Sequence, residues 1–170
     1  MEMEKELKFE MNLTAGDLWK FSMHHANSGM KGMVNLIFTV TALFLLAARW
    51  TTLSMGQRLL LVVCALLFTV WQPVLLYWKA RRQAKLPAMA QTICLTFNRE
   101  QVTVRQGEQE LSFEWDKIAR LDRLRDMTVL YMDRIHAYLI PGRVQGDQAE
   151  ALDQMAQQCL PGERYRRRPW

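Results

Sequence analysis

The sequence predicts an α+β membrane protein: a two-helix transmembrane hairpin, then a small cytoplasmic β domain closed by a C-terminal α-helix. Three observations carry that expectation. Two charge-free apolar blocks stand close together in the first half of the chain. The segment after them alternates apolar and polar residues in short runs, and one amphipathic helical pattern follows the last run. The 170 residues, 50% hydrophobic and 23% charged, suit one small domain with an appendage and leave no room for a large multidomain enzyme. A mean hydropathy of −0.12 hides how unevenly the apolar residues are spread. Three cysteines do not make a disulfide scaffold.

The first block, residues 32–48, is bracketed by Lys31 and Arg49, and the second, residues 59–78, by Arg58 and Lys79. As helices they span roughly 25 and 30 Å, against a hydrocarbon core of about 30 Å. Lys31 and Arg49 can snorkel outward and lengthen the shorter one. Neither block has a polar stripe at helical spacing, and a soluble domain of this size would struggle to wrap both on every side. A buried helical hairpin is therefore the weaker reading. The loop between them, 49–58, holds only Arg49 and Arg58, whereas Lys79, Arg81, Arg82 and Lys85 follow the second block and Lys20 and Lys31 precede the first. That asymmetry places both termini in the cytoplasm and the chain in the cytoplasmic membrane, with Trp50, Tyr77 and Trp78 at the boundaries. The acidic opening MEMEKE lacks the basic region of a cleavable signal peptide.

Gln72 and Pro73 interrupt the second span, where Pro73 is expected to kink the helix. Gln72 lies at about the depth of Thr39 on the first span, so the two form a candidate intramembrane polar contact through a hydrogen bond between the helices. Neither span contains an ionisable residue, which argues against a proton relay or a coupled transporter.

Residues 1–31 divide into a strand and a helix. Lys5 to Asn12 alternates, with Leu7, Phe9 and Met11 on one face. Thr14 followed by Asp17 reads as a helix cap. The helix after it carries a polar stripe of Lys20, His24, Asn27 and Lys31 and turns inward at Gly29 and Gly32. It either lies in the membrane interface or packs on the cytoplasmic domain. His24 and His25 diverge by about 100° on a helix and have no ligand-spaced partner, so no metal site is expected.

Residues 79–91 read as a basic stalk that stops at Pro87, and 92–160 as the β domain. Successive strand faces are Ile93, Leu95 and Phe97; Val102 and Val104; and Leu111, Phe113 and Trp115. A bulged strand with Ile118, Leu121 and Leu124 comes next, then strands Met127 to Met132 and Ile135 to Ile140, ended by Pro141 and Gly142. A helix capped by Asp147, with Glu150 three residues on, buries Ala149, Leu152, Met155, Ala156 and Cys159. Six meandering strands and a closing helix follow the order of a pleckstrin-homology (PH)-like barrel or sheet. The strand Lys5 to Asn12 would supply the missing seventh and make the domain discontinuous.

The segments FEWDKIARLDRL and HAYLIPGRV, set after two short apolar spans, resemble the bacterial YcxB-like membrane proteins. The resemblance runs from about Phe9 to Cys159. It rests on Trp115 and Ile118 opening the central strand and on Ile140, Pro141 and Arg143 closing the last one. Gly142 between Pro141 and Arg143, and Val144 where an aromatic is often seen, depart from the pattern. The resemblance implies an architectural role for Trp115, Ile118, Ile140 and Pro141, and no catalytic residue.

No nucleophile with its base, phosphate loop, paired carboxylates or metal-ligand set stands out, so no catalytic residue, cofactor or metal is expected and the chain is read as no enzyme. Beyond Trp78 there are 16 Lys plus Arg against 12 Asp plus Glu. The excess gathers in the stalk and in the tail, 161–170, with Arg164, Arg166, Arg167, Arg168 and Trp170. With Lys79, Arg81, Arg82 and Lys85 these are the candidate membrane-surface contacts. The alternative for the tail is a disordered end. Nucleic acid is not an expected partner, because the basic residues do not interleave with aromatics on a recognition strand. The expected role is a non-catalytic binding or regulatory module for a lipid head group or a protein partner, tethered to the bilayer. The alternatives are an immunity factor against a membrane-active toxin, or an accessory subunit or small homo-oligomeric pore packed through Ala47, Ala48 and Ala65.

Overall fold

The computed structural model describes residues 6–133 and 136–167. The chain forms two units: a helical one, Thr14–Lys85, and a β domain built from the segments on either side of it.

In the helical unit, Thr14 and Asp17 form the expected capping box. Thr14 N donates to Asp17 Oδ2 at 2.8 Å, and Asp17 N donates to Thr14 Oγ1 at 3.3 Å. They open α1 (Ala15–Asn27), which breaks at Ser28 before α2 (Gly29–Ala48) begins. Two glycines make that elbow. Gly29 has φ +66°, and a Cβ on Gly32 would sit 1.9 Å from the Asn27 carbonyl oxygen. The break divides the expected polar stripe, leaving Lys31 on α2 and Lys20, His24 and Asn27 on α1. A short loop leads to α3 (Met55–Leu66), a wider turn (Leu67–Trp71) and α4 (Gln72–Gln83), which run on as one helix from Met55 to Gln83. The π-type turn falls immediately before Pro73. There it relieves the clash between the proline ring and the preceding turn and absorbs the missing N–H. Within the helical unit α1 lies on α4. Trp19 Nε1 donates to Pro73 O at 3.0 Å, and the Trp19 ring meets Tyr77 edge-on at 6.3 Å.

The expected Gln72–Thr39 bond does not form. Gln72 Oε1 instead accepts from Asn35 Nδ2 at 3.4 Å. The tight loop fixes the register of the two helices from its own end, and counting down from Arg49 and Arg58 brings Asn35, one turn from Thr39, level with Gln72. The same count sets Ala42 opposite Ala65, and these two, with Thr39, are the buried residues of α2 and α3. Small residues along a helix seam let backbones approach closely. Ala47 and Ala48, expected in that seam, are exposed.

The β domain holds two four-stranded sheets. The first has the order β1 (Leu7–Met11), β2 (Ile93–Phe97), β3 (Gln101–Gln106), β4 (Gln109–Glu114), all antiparallel. The second has the order β7 (Ala137–Pro141), β6 (Met127–Tyr131), β5 (Arg120–Arg123), β8 (Tyr165–Arg167). The N-terminal strand therefore does join the later strands. Met11 and Ile93 are register partners, so the chain leaves for the helical unit and returns from it at one end of one strand pair. Leu7, Phe9 and Met11 meet Leu95, Phe97, Val102, Ile118, Leu130 and Ile140 in a single apolar core. The helix α7 (Ala149–Cys159) covers it with Leu152, Met155 and Ala156.

Several expectations are corrected here. Among the described residues the sheets do not close into a barrel, because β4 and β5 are unpaired with each other. Trp115 stands in a short 3₁₀ turn (Trp115–Lys117) between the sheets, not at the end of a strand; its indole is buried and Nε1 donates to Asn98 O at 2.9 Å. Asp147 does not cap α7. A one-turn helix, α6 (Gly142–Gln145), starts directly after Pro141, and Gly146 at φ +45° redirects the chain into a 3₁₀ turn that takes up Asp147. The segment after Lys79 stays helical to Gln83, and Pro87 begins a short helix, α5 (Pro87–Ala90), where its missing N–H is harmless. Within the tail, Tyr165–Arg167 form a strand parallel to β5.

Candidate functional site

The expected surface contacts fall into two groups. Lys79, Arg81 and Arg82 on the last turns of α4, and Lys85 just beyond, are all exposed. Cations suit that position, where the last helical carbonyls carry partial negative charge. The Asn35–Gln72 and Trp19–Pro73 bonds place the start of α2 and the body of α1 at the same end of the helical unit, so exposed Lys20 and Lys31 join them. Asp17, committed to the α1 cap, is the single carboxylate between residues 14 and 85. At the opposite end stand Arg49 and Arg58, with the Arg58 guanidinium 4.8 Å from the Trp50 ring centre.

The tail residues belong to the β domain. Arg164 Nη1 donates to Asp116 O at 2.8 Å and Ile118 O at 3.3 Å, which clamps β8 beside β5. Arg166 and Arg167 are exposed on that strand, while Arg168 and Trp170 lie outside the described residues. Trp115, Ile118, Ile140 and Pro141 are all buried.

Inside the second sheet, Gln145 is buried and ties three elements together. Its Nε2 donates to Ile140 O at 2.6 Å, and its Oε1 accepts from Thr128 Oγ1 at 3.2 Å and from the Arg123 guanidinium. Arg123 Nε also stands 3.7 Å from Asp153 on α7. Burial pushes the Asp153 carboxyl above its ordinary value, and Arg123 opposes only part of that shift. This network joins β5, β6, α6 and α7 and reads as architecture.

The open corner between the sheets is the site that sequence reasoning missed. An open cleft of about 580 Å³ lies between the β2–β3 turn (Arg99, Glu100), the end of β4 (Glu114), the 3₁₀ turn (Asp116) and α7 (Gln158, Cys159). Cys159 Sγ donates to Arg99 O at 3.6 Å, and burial raises its thiol above the usual range. Beside the cleft runs the outer edge of β4. Leu111 points to the same face as the core residues, opposite buried Val104, yet is 53% exposed because among the described residues nothing pairs with β4 on its far side. Alternating Glu110, Ser112 and Glu114 was a visible signal, but a six-strand meander read from sequence gives no sign of which strand ends as an edge.

An apolar helical pair carried between the first two strands of a two-sheet domain defines an α+β protein with two candidate membrane spans. Residues 97–159, from the end of β2 to the end of α7, match the family model of YcxB-like protein. The match contains Trp115, Ile118, Ile140 and Pro141, and starts later than the resemblance traced from Phe9. No curated protein and no solved structure matches the chain.

Proposed function

We propose that this chain is a membrane-anchored recognition protein. Helix α2 and the continuous helix Met55–Gln83 cross the cytoplasmic membrane as a hairpin, and the β domain and both termini stay on the cytoplasmic side. One observation carries the reading: only 11% and 6% of the most apolar stretches of these helices are buried. The core helix of a soluble protein would be mostly covered, whereas a bilayer accepts such side chains on every face. The exposed basic residues at the α1–α4 end support the orientation and would meet anionic lipid head groups, each contributing about 1 kcal/mol near the surface. The β domain we read as PH-like, since four and then three antiparallel strands precede the helix that covers their core. It acts as a non-catalytic module for a protein partner, with the lipid contacts left to the helical unit.

The test is cysteine accessibility in a background lacking Cys64, Cys94 and Cys159. Thr52→Cys in the short loop should react with an impermeant maleimide on intact cells, and Gln91→Cys only after lysis. Labelling of both from outside, or complete extraction of the chain by alkaline carbonate, would overturn the reading.

A further inference from the structure

The free edge of β4 has a defined chemistry. Asn98 N donates to Gln101 O at 3.1 Å across the β2–β3 turn, so Gln101, Thr103 and Arg105 direct their backbone groups toward β2. Val102, Val104 and Gln106 must then serve β4. The β3–β4 hairpin agrees. Gln106 and Gln109 flank a two-residue loop whose Gly107 has φ +60°, and the pair closing such a loop is hydrogen-bonded. Gln109, Leu111 and Phe113 thus bond inward to β3, and the N–H and C=O groups of Glu110, Ser112 and Glu114 point outward. Their side chains share one sheet face, and all three are exposed.

That edge is charged against pairing with its own copy. Setting Ser112 opposite Ser112 of a second chain places Glu110 against Glu114 twice. Sliding by one pair places Glu114 against Glu108. Like charges directly opposite destabilise a ladder. Arg105 stands opposite Glu110 within the sheet, so the Glu114 end carries the stronger negative field, and in the adjoining cleft Glu100 and Asp116 outweigh Arg99.

We infer that the β4 edge binds an extended basic segment of a protein partner by strand addition. Lys or Arg at alternate positions would face Glu110, Ser112 and Glu114, and the apolar residues between them would cover Leu111. Backbone bonds supply the docking, and the carboxylates choose the sequence. The inference rests on the recognition-module reading and names its partner class.

Two dye-labelled octapeptides, alternating Lys–Val and alternating Glu–Val, test it by fluorescence anisotropy with the full chain in nanodiscs of zwitterionic lipid. The Lys–Val peptide should bind at least about tenfold more tightly. Ser112→Pro, which removes an outward N–H, should abolish binding, and Ser112→Ala, which keeps it, should not. Glu110→Lys with Glu114→Lys should reverse the preference and covers the case in which the proline variant does not fold. Equal affinity for both peptides, undiminished binding by a folded Ser112→Pro variant, or a β4–β4 cross-link between two copies through Leu111→Cys would overturn the inference. Insertion, read separately by the maleimide labelling, distinguishes this failure from failure of the anchor itself.

Discussion

Phe44 on α2 is 67% exposed and Leu36 is 64% exposed, whereas Leu95, Phe97 and Ile118 in the β domain have no exposed surface at all. The buried positions are reversed as well. In the helical pair they go to Thr39, Ala42, Ala65 and Ala80, small or weakly polar residues, while the β domain packs large apolar ones. If the helical pair is inserted as proposed, the contrast has a physical cause. Water drives apolar side chains inward, but a hydrocarbon solvent gives them no reason to leave it, and helices then associate through close backbone approach and a few hydrogen bonds. One chain thus obeys two packing rules, and the boundaries between them fall at Leu13–Thr14 and Lys85–Leu86.

The largest expected effect lies on the β side. Phe9 is buried on β1 and meets Phe97 edge-on at 5.8 Å. Phe9→Ala should destabilise the domain by about 3–5 kcal/mol, seen as a lowered urea midpoint for protease resistance. Phe44→Ala should leave that midpoint within about 0.5 kcal/mol of the parent. Phe44→Arg should instead hinder insertion by about 2.5–3.5 kcal/mol, read as an increased carbonate-soluble fraction. If Phe44→Ala lowers the midpoint as much as Phe9→Ala, the helices are a protein core and the contrast is broken.

Much of this was visible in the sequence, for identifiable reasons. Period-two alternation at Leu7, Phe9 and Met11 marked a strand far from its partners, and six later strands where seven were expected suggested that it joins them, without indicating that β2 is its neighbour. The Thr14–Asp17 cap could be read directly, because both of its bonds are local. Features set by tertiary geometry were not legible. The Gln72 partner depends on which end of the hairpin fixes the register, and an error of one turn exchanged Asn35 for Thr39. Arg164 looked like one more tail cation until two backbone carbonyls, 46 and 48 residues away, claimed it. The open corner depends on β5 pairing with a strand at the far end of the chain, which no local pattern announces.

A smaller effect sharpens the helical side. Gln72→Leu leaves the Asn35 amide without the partner it has at 3.4 Å, and should lower the thermal midpoint in micelles by the equivalent of about 0.6–2 kcal/mol. Adding Asn35→Leu should recover part of the loss, because replacing both partners strands neither of them. No recovery would show that the amides act through groups other than each other.

The smallest effect is a change of slope with pH, at a carboxylate in the β domain whose burial outweighs its ion pair. Asp153 has its folded-state pKa raised, so between its ordinary value and that raised value the folded chain holds more proton than the unfolded one. Its contribution is therefore most favourable at low pH and is lost as pH rises through the folded value, opposite in sign to an ordinary salt-bridged carboxylate. Asp153→Asn removes the titration and leaves Arg123 with Thr128 Oγ1, at 3.0 Å, and the Gln145 side chain. From about pH 4 upward the parent should lose thermal stability relative to Asp153→Asn, with the gap levelling off above the raised pKa. A gap that stays constant with pH would mean that the Arg123 pair balances burial, and a parent that gains on Asp153→Asn as pH rises toward about 4 would mean that the pair wins. Even this polar network would then have to be counted among the forces that hold α7 on the sheet.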